Sequence, residues 1–190
     1  MQGKEILKEH ILKFTSLTDD QFEYFFSFFK PESYRKGEVI ISEGNKVDSE
    51  YFVTEGCLKS FYINDDMKMF ILQFAMQTWW TTDYIALHNN TPATVSIDCI
   101  TNANVLRILK TDRENLCREI HEIERFFRLR TNKGYAALQK RLLSFMSANA
   151  KERYEELMSQ YPQLYSLVPK QLIAAYLGVS RETLSRLYHT

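Results

Sequence analysis

The segment from Lys170 to Leu187 constrains this chain more than any other, because two short helical patterns meet in it at one glycine. Leu172, Ile173, Tyr176 and Leu177 keep helical spacing up to Gly178, a residue that enters positive φ without a Cβ penalty and so ends a helix. After Val179, Ser180 is suited to cap a second helix, its hydroxyl accepting from a free N–H of the first turn. In that second helix Leu184 and Leu187 share one side, and Arg181, Glu182, Ser185 and Arg186 share the opposite one. Ala174, four residues before the glycine, leaves room for the helices to cross. Two helices set at a steep angle by a glycine turn, the second carrying polar side chains that reach base edges, predict a helix-turn-helix that reads DNA. The other reading is a ligand-binding or protein-interaction module whose C-terminal helical hairpin packs on a protein partner. A packing helix, however, has no use for Arg181, Glu182 and Arg186 exposed together.

The rest of the chain changes period twice. Ile6, Leu7, Ile11, Leu12 and Phe14, then Phe22, Phe25, Phe26 and Phe29 after Asp19-Asp20, keep helical spacing, and the aromatic stripe predicts core packing. From Glu32 to about Ile108 short strands alternate with glycine turns at Gly37, Gly44 and Gly56, and Asn64-Asp65-Asp66 forms a hairpin turn. This predicts an antiparallel β-barrel or sandwich whose second layer comes from the flanking helices. At Thr111 the helical period returns, with Asp112 as N-cap. A helix from about Ile120 carries Ile120, Ile123, Phe127, Gly134 and Leu138 in an apolar seam that packs on this chain or pairs with a second copy. Tyr154, Leu157 and Met158 mark a further helix ended by Pro162, and Val168-Pro169 introduces the helix-turn-helix.

Charge and cysteines narrow the function. Lys+Arg and Asp+Glu are equal at 24 each, so the chain lacks the basic excess of a non-specific nucleic-acid binder. From Tyr135 onward, however, seven basic residues face four acidic ones, which fits a DNA-reading end. Cys57, Cys99 and Cys117 are odd in number and far apart, which indicates neither a disulfide framework nor a metal site and suits a reducing cytoplasm. With no nucleophile–base pattern, phosphate-cradling loop or His-x-x-x-His pair, an enzyme is not expected. No cofactor and no membrane span are expected either.

The order of parts resembles the Crp/Fnr family of bacterial transcription regulators over essentially the whole chain. The resemblance is carried by Lys36-Gly37-Glu38, Glu43-Gly44 and Gly56, and most specifically by Leu177-Gly178-Val179-Ser180-Arg181-Glu182-Thr183-Leu184-Ser185-Arg186. The divergent sensor part is similar to the branch common in Bacteroidetes-type bacteria. The resemblance implies an α+β chain: an N-terminal antiparallel β-roll of the cyclic-nucleotide-binding type with flanking helices, a long dimerisation helix, and a C-terminal winged-helix or helix-turn-helix domain. Expected boundaries are 1–115 for the sensor, 116–138 for the connecting helix and 139–190 for the DNA-binding domain. It further implies a homodimer on an inverted repeat of double-stranded DNA, with RNA polymerase as a partner.

Arg181, Glu182, Ser185 and Arg186 are the expected base readers, with Ser180, Thr183 and Lys170 on phosphates. In relatives that hold cyclic AMP, a Gly-Glu pair and a following Arg-Ser or Arg-Thr cradle ribose and phosphate. Here the arginine position falls at about Ala93, and no basic residue lies between Lys68 and Arg107, so a cyclic nucleotide is not expected. Trp79, Trp80, Thr81, Thr82 and Thr94 are candidates to line a pocket for an unknown small-molecule effector, and the two tryptophans are equally candidates for the core.

Overall fold

The computed structural model describes residues 2–187, and of Leu187 the backbone only. Helices α1 (Gln2–Leu12) and α2 (Asp19–Phe26) precede strands β1 (Lys30–Tyr34), β2 (Val39–Ile41), β3 (Ser49–Glu55), β4 (Cys57–Ile63), β5 (Met69–Met76) and β6 (Trp80–Thr81). Helix α3 (Tyr84–Asn89) leads to β7 (Ser96–Cys99) and β8 (Ala103–Leu109). The chain then stays helical: α4 (Lys110–Glu119), α5 (His121–Ser147), α6 (Ala150–Gln160), α7 (Leu164–Leu167), α8 (Lys170–Leu177) and α9 (Arg181–Leu187).

Two antiparallel sheets, ordered β1-β8-β3-β6 and β2-β7-β4-β5, stack face to face, and helices cover both outer faces. The result is three apolar cores. Between the N-terminal helices and the first sheet lie Leu7, Phe22, Phe25, Phe52, Trp80 and Phe126. Tyr51, Val53, Leu58, Ile97 and Val105 fill the space between the sheets. Beyond the second sheet, Ile71, Phe74 and Ile100 meet Leu157, Ile173, Leu177 and Leu184 from the C-terminal helices. Strand β3 shows the consequence, since it is buried on both sides: Phe52 points to the helices while Tyr51 and Val53 point between the sheets. The β3–β4 turn requires Gly56, whose φ is 87° and whose added Cβ would lie 2.2 Å from the Asn102 carbonyl oxygen.

Three local expectations are corrected. Asp112 is not an N-cap, because α4 starts two residues earlier and Leu109 holds that position without a side-chain bond. A single extended residue, Ile120, separates α4 from α5, and α5 then runs on to Ser147, nine residues past the expected limit. Gly134 does not interrupt it, since one glycine costs a helix only about 1 kcal/mol. Among the described residues no strand follows β8, so the C-terminal part is a helical helix-turn-helix without a wing.

Candidate nucleic-acid interface

The turn between α8 and α9 is built as its residues dictate. Gly178 closes α8 in the left-handed region at φ 71°, and the Val179 N–H donates to the Ala174 carbonyl at 3.0 Å. Ile173, Ala174, Leu177 and Leu184 are buried in the third core. At the start of α9 the Ser180 hydroxyl accepts from the Thr183 N–H at 3.1 Å and lies 3.1 Å from the Thr183 hydroxyl. Ser180 and Thr183 therefore serve first as the cap of α9. Arg181, Glu182, Ser185 and Arg186 are exposed and line one shallow open depression, so the structure brings together the four expected base readers. Lys170 is exposed in the first turn of α8. The Glu182 carboxyl is held below its usual range by its own backbone N–H and the Ser180 hydroxyl, with Arg181 and Arg186 adding attraction, so it remains a carboxylate acceptor. Leu187 was expected beside Leu184; its side chain lies outside the described residues.

The unit is fixed to the far half of α5. Phe145 sits under the turn, where a Cβ on Gly178 would come 2.7 Å from its ring. Lys140 pairs with Glu156 at 2.8 Å, and the Ser144 hydroxyl donates to the same carboxylate at 2.7 Å. Arg153 donates to the Ala148 carbonyl at 2.7 Å and to the Leu177 carbonyl at 3.1 Å, covering orphan acceptors at two helix ends. Helix α6 is capped by Asn149 and Glu152 in a reciprocal box that the sequence reading missed; Asn-x-x-Glu was its signal.

The expected dimer seam is corrected in its first half. Ile123 is fully buried and Phe127 is 6% exposed, both in the chain's own helical core, with Ile120 packed against it. Phe25 and Trp80 of the same chain cover Phe127, and the burial of Ile123 and Phe127 leaves neither a face for a partner, whereas Ile120 is only partly buried. Gly134 and Leu138 remain exposed, and every residue from Thr131 to Lys140 is exposed. Tyr135, Leu138, Leu142 and Met146, at spacings of three and four, form an apolar stripe between 59% and 77% exposed.

The expected effector residues do not converge. Trp80 is in the helical core under the Arg130 guanidinium, 4.6 Å from its ring, whereas Trp79 turns the other way and meets Tyr161 of the C-terminal part at 4.9 Å. Trp79 ends the turn after β5 and Trp80 opens β6, and the two indoles leave the chain toward different cores. Thr81 is fully buried and Thr82 bonds the Ser49 carbonyl at 2.8 Å. Thr94 is engaged by Asp83, which is 3% exposed. One Asp83 carboxylate oxygen accepts from the Thr94 N–H at 2.5 Å, the Thr94 hydroxyl at 2.8 Å and the Val95 N–H at 3.2 Å, and the other accepts from the Ala86 N–H at 3.0 Å. Burial pushes the Asp83 carboxyl up, but these bonds outweigh it and hold the group below the usual range, as an anion. The donors beside Ala93 are thus already occupied by a carboxylate of the chain itself.

A second buried charge cluster went unseen in the sequence. Glu50 on β3 is 1% exposed and pairs with Arg113 of α4 and, at 2.8 Å, with Arg130 of α5. It ties the start of the long helix to the first sheet.

The comparisons with known proteins agree with this architecture. Residues 31–119 match the family model of the cyclic nucleotide-binding domain. Among curated proteins no sequence matches the chain significantly. Among solved structures, FixK2 from Bradyrhizobium japonicum is similar with a TM-score of 0.73 at 19% identity, over 85% of this chain and 83% of that one. A protein of Eubacterium rectale described as a transcriptional regulator of the Crp/Fnr family gives 0.67 at 12% identity, over 91% and 82%. The catabolite activator protein of Thermus thermophilus gives 0.56 at 22% identity, over 93% and 84%. Residues 31–119 thus match the model of that domain, and the chain as a whole shares the fold of these structures, that domain followed by C-terminal helices.

Proposed function

We propose that the chain is a dimeric, sequence-specific DNA-binding transcription regulator of the cytoplasm, with residues 1–115 as sensor, 116–138 as the start of the connector and 139–190 as the DNA reader. The observation that carries the reading is the exposed set Arg181, Glu182, Ser185 and Arg186 on α9, presented by a turn whose opposite side is fully anchored in a core. Arg181 and Arg186 reach guanine O6 and N7, and Glu182 accepts from cytosine N4. Lys170, Ser180 and Thr183 lie where phosphates would position the helix. The stripe from Tyr135 to Met146, with Gly134 allowing close approach, supports a second copy as partner along α5. The transcription regulators among the similar structures support the same reading. No described helix is long and apolar enough to cross a membrane.

Selection from random duplex DNA tests it. The expected product is an inverted repeat with half-sites about 10 bp apart, bound by two chains. Glu182→Ala is expected to relax one base pair and cost about 1–3 kcal/mol on the selected site, whereas Lys170→Ala weakens all sequences alike and flattens the salt dependence. An unchanged consensus for the Glu182 variant would remove that residue from the reading face.

In this reading the sensor does not hold a cyclic nucleotide. An entering phosphodiester would meet the Asp83 carboxylate on the very donors it needs, with no Lys or Arg between Lys68 and Arg107 to neutralise it. Calorimetry with cyclic AMP and cyclic GMP is expected to give no binding at micromolar concentration. A micromolar dissociation constant for either would show that Asp83 yields its place.

A further inference from the structure

Arg141 of α5 makes its hydrogen bonds to backbone carbonyls. Its guanidinium donates to the Leu72 carbonyl, to the Ile71 carbonyl at 3.0 Å and to the Tyr176 carbonyl at 3.2 Å, and it stacks on the Tyr176 ring at 3.8 Å. Those acceptors are available for reasons built into two elements. Strand β5 is the edge of its sheet, and its ladder with β4 slips at Leu72: Ser60 faces Gln73 while Phe61 faces Ile71. Such a bulge leaves one residue without a ladder partner, and an edge leaves carbonyls unpaired. Tyr176 lies in the last turn of α8, where carbonyls have no intrahelical donor and the helix dipole favours a cation. One planar fork therefore joins the sheet edge, the long helix and the first helix of the helix-turn-helix. Phe74 and Tyr176 also stack across this join at 5.1 Å, but apolar packing tolerates sliding that directional bonds do not.

We propose that Arg141 is a positioning residue for DNA reading: it fixes α8, and α9 with it, against β5, so that the two reading helices of a dimer stand at one spacing. The inference rests on the DNA-binding dimer proposed above. It leaves the base contacts of each α9 untouched and concerns only the distance and angle between them. A lysine at this position offers a single ammonium point and cannot span strand and helix together.

The experiment compares the inverted repeat selected by the wild-type protein with the same repeat whose spacer is lengthened by about half a helical turn (~5 bp), and with a single half-site. Wild type is expected to prefer the selected spacing. Arg141→Met, which keeps the stem and removes the donors, is expected to lose about tenfold of that preference while half-site affinity stays within about twofold. Arg141→Lys should behave in the same direction, and it is the variant to read if the methionine form melts without cooperativity. Retention of the full spacing preference by both variants would overturn the proposal. So would an equal loss on repeat and half-site in a cooperatively folded variant, because that would place Arg141 in general support of α9. A wild-type protein that selects no duplex at all would remove the DNA reading itself, a result distinguishable from either of these.

Discussion

Replacing Glu50 by alanine is expected to cost about 3–5 kcal/mol of folding stability, a large part of what holds a domain of this size together. Glu50 is 1% exposed, and its two arginine partners carry side chains only 23% and 10% exposed. Removing the carboxylate leaves two cations in a space closed by Trp80 and Phe127, with little water to take the place of the lost partner. The ion cluster is not for that reason a large source of stability. Desolvating three charges offsets most of their attraction, so changing Glu50, Arg113 and Arg130 together to apolar residues of similar volume is expected to be close to neutral. Urea unfolding of the single and triple variants separates the two statements.

The same cluster gives a pH dependence with a definite sign. Burial pushes the Glu50 carboxyl up, but Arg130 and Arg113 outweigh that and hold it below its ordinary value of 4.5. The stability from this depressed carboxyl is complete above the unfolded-state value and is lost as pH falls through the lower folded-state value. A wild-type acid unfolding curve no different from that of the triple apolar variant would count against it.

Gly178→Val is the second large effect, expected at about 2–5 kcal/mol together with loss of specific DNA binding. Two costs add at one position: φ is 71°, where a β-branched residue is strained, and a Cβ would lie 2.7 Å from the Phe145 ring. The terms are separable. In Gly178→Ala combined with Phe145→Ala the collision is gone but the left-handed backbone is not, so the pair should be less destabilising than the sum of its members. Strict additivity in thermal unfolding would mean that Phe145 is not in the way.

How far the chain could be read before its structure was known follows the range of each interaction. The helix-turn-helix was legible because Gly178, Ser180 and Ala174 act on backbone within a few residues of themselves, and Gly37, Gly44 and Gly56 all take the positive φ their turn positions implied. The stripe of Phe22, Phe25 and Phe29 went to the core as its period required. Ile123 and Phe127 show where this stops, since an apolar helical face does not say which chain will cover it. Glu50 and Arg130 are 80 positions apart, and neither carries a local sign of the other. Trp79 and Trp80 read as one feature in sequence, yet one ends a turn and the other opens β6, and they pack in different cores. The slip at Leu72 was equally silent, because a bulge depends on the register of a partner strand.

Arg130 and Arg141 both leave α5 to bind strands of the sheets, one at Glu50 and the other at Ile71 and Leu72. Eleven residues at about 100° each complete three turns with only about 20° to spare, so the two side chains emerge in nearly the same direction, about 16 Å apart. The exposed stretch between them is therefore a gauge whose graduations are whole turns of helix. For this alignment the number of its residues matters, whatever their kind. One residue added or removed would swing the later arginine by about 100° and shift it by about 1.5 Å along the axis, taking it off the sheet edge without touching either of its anchors.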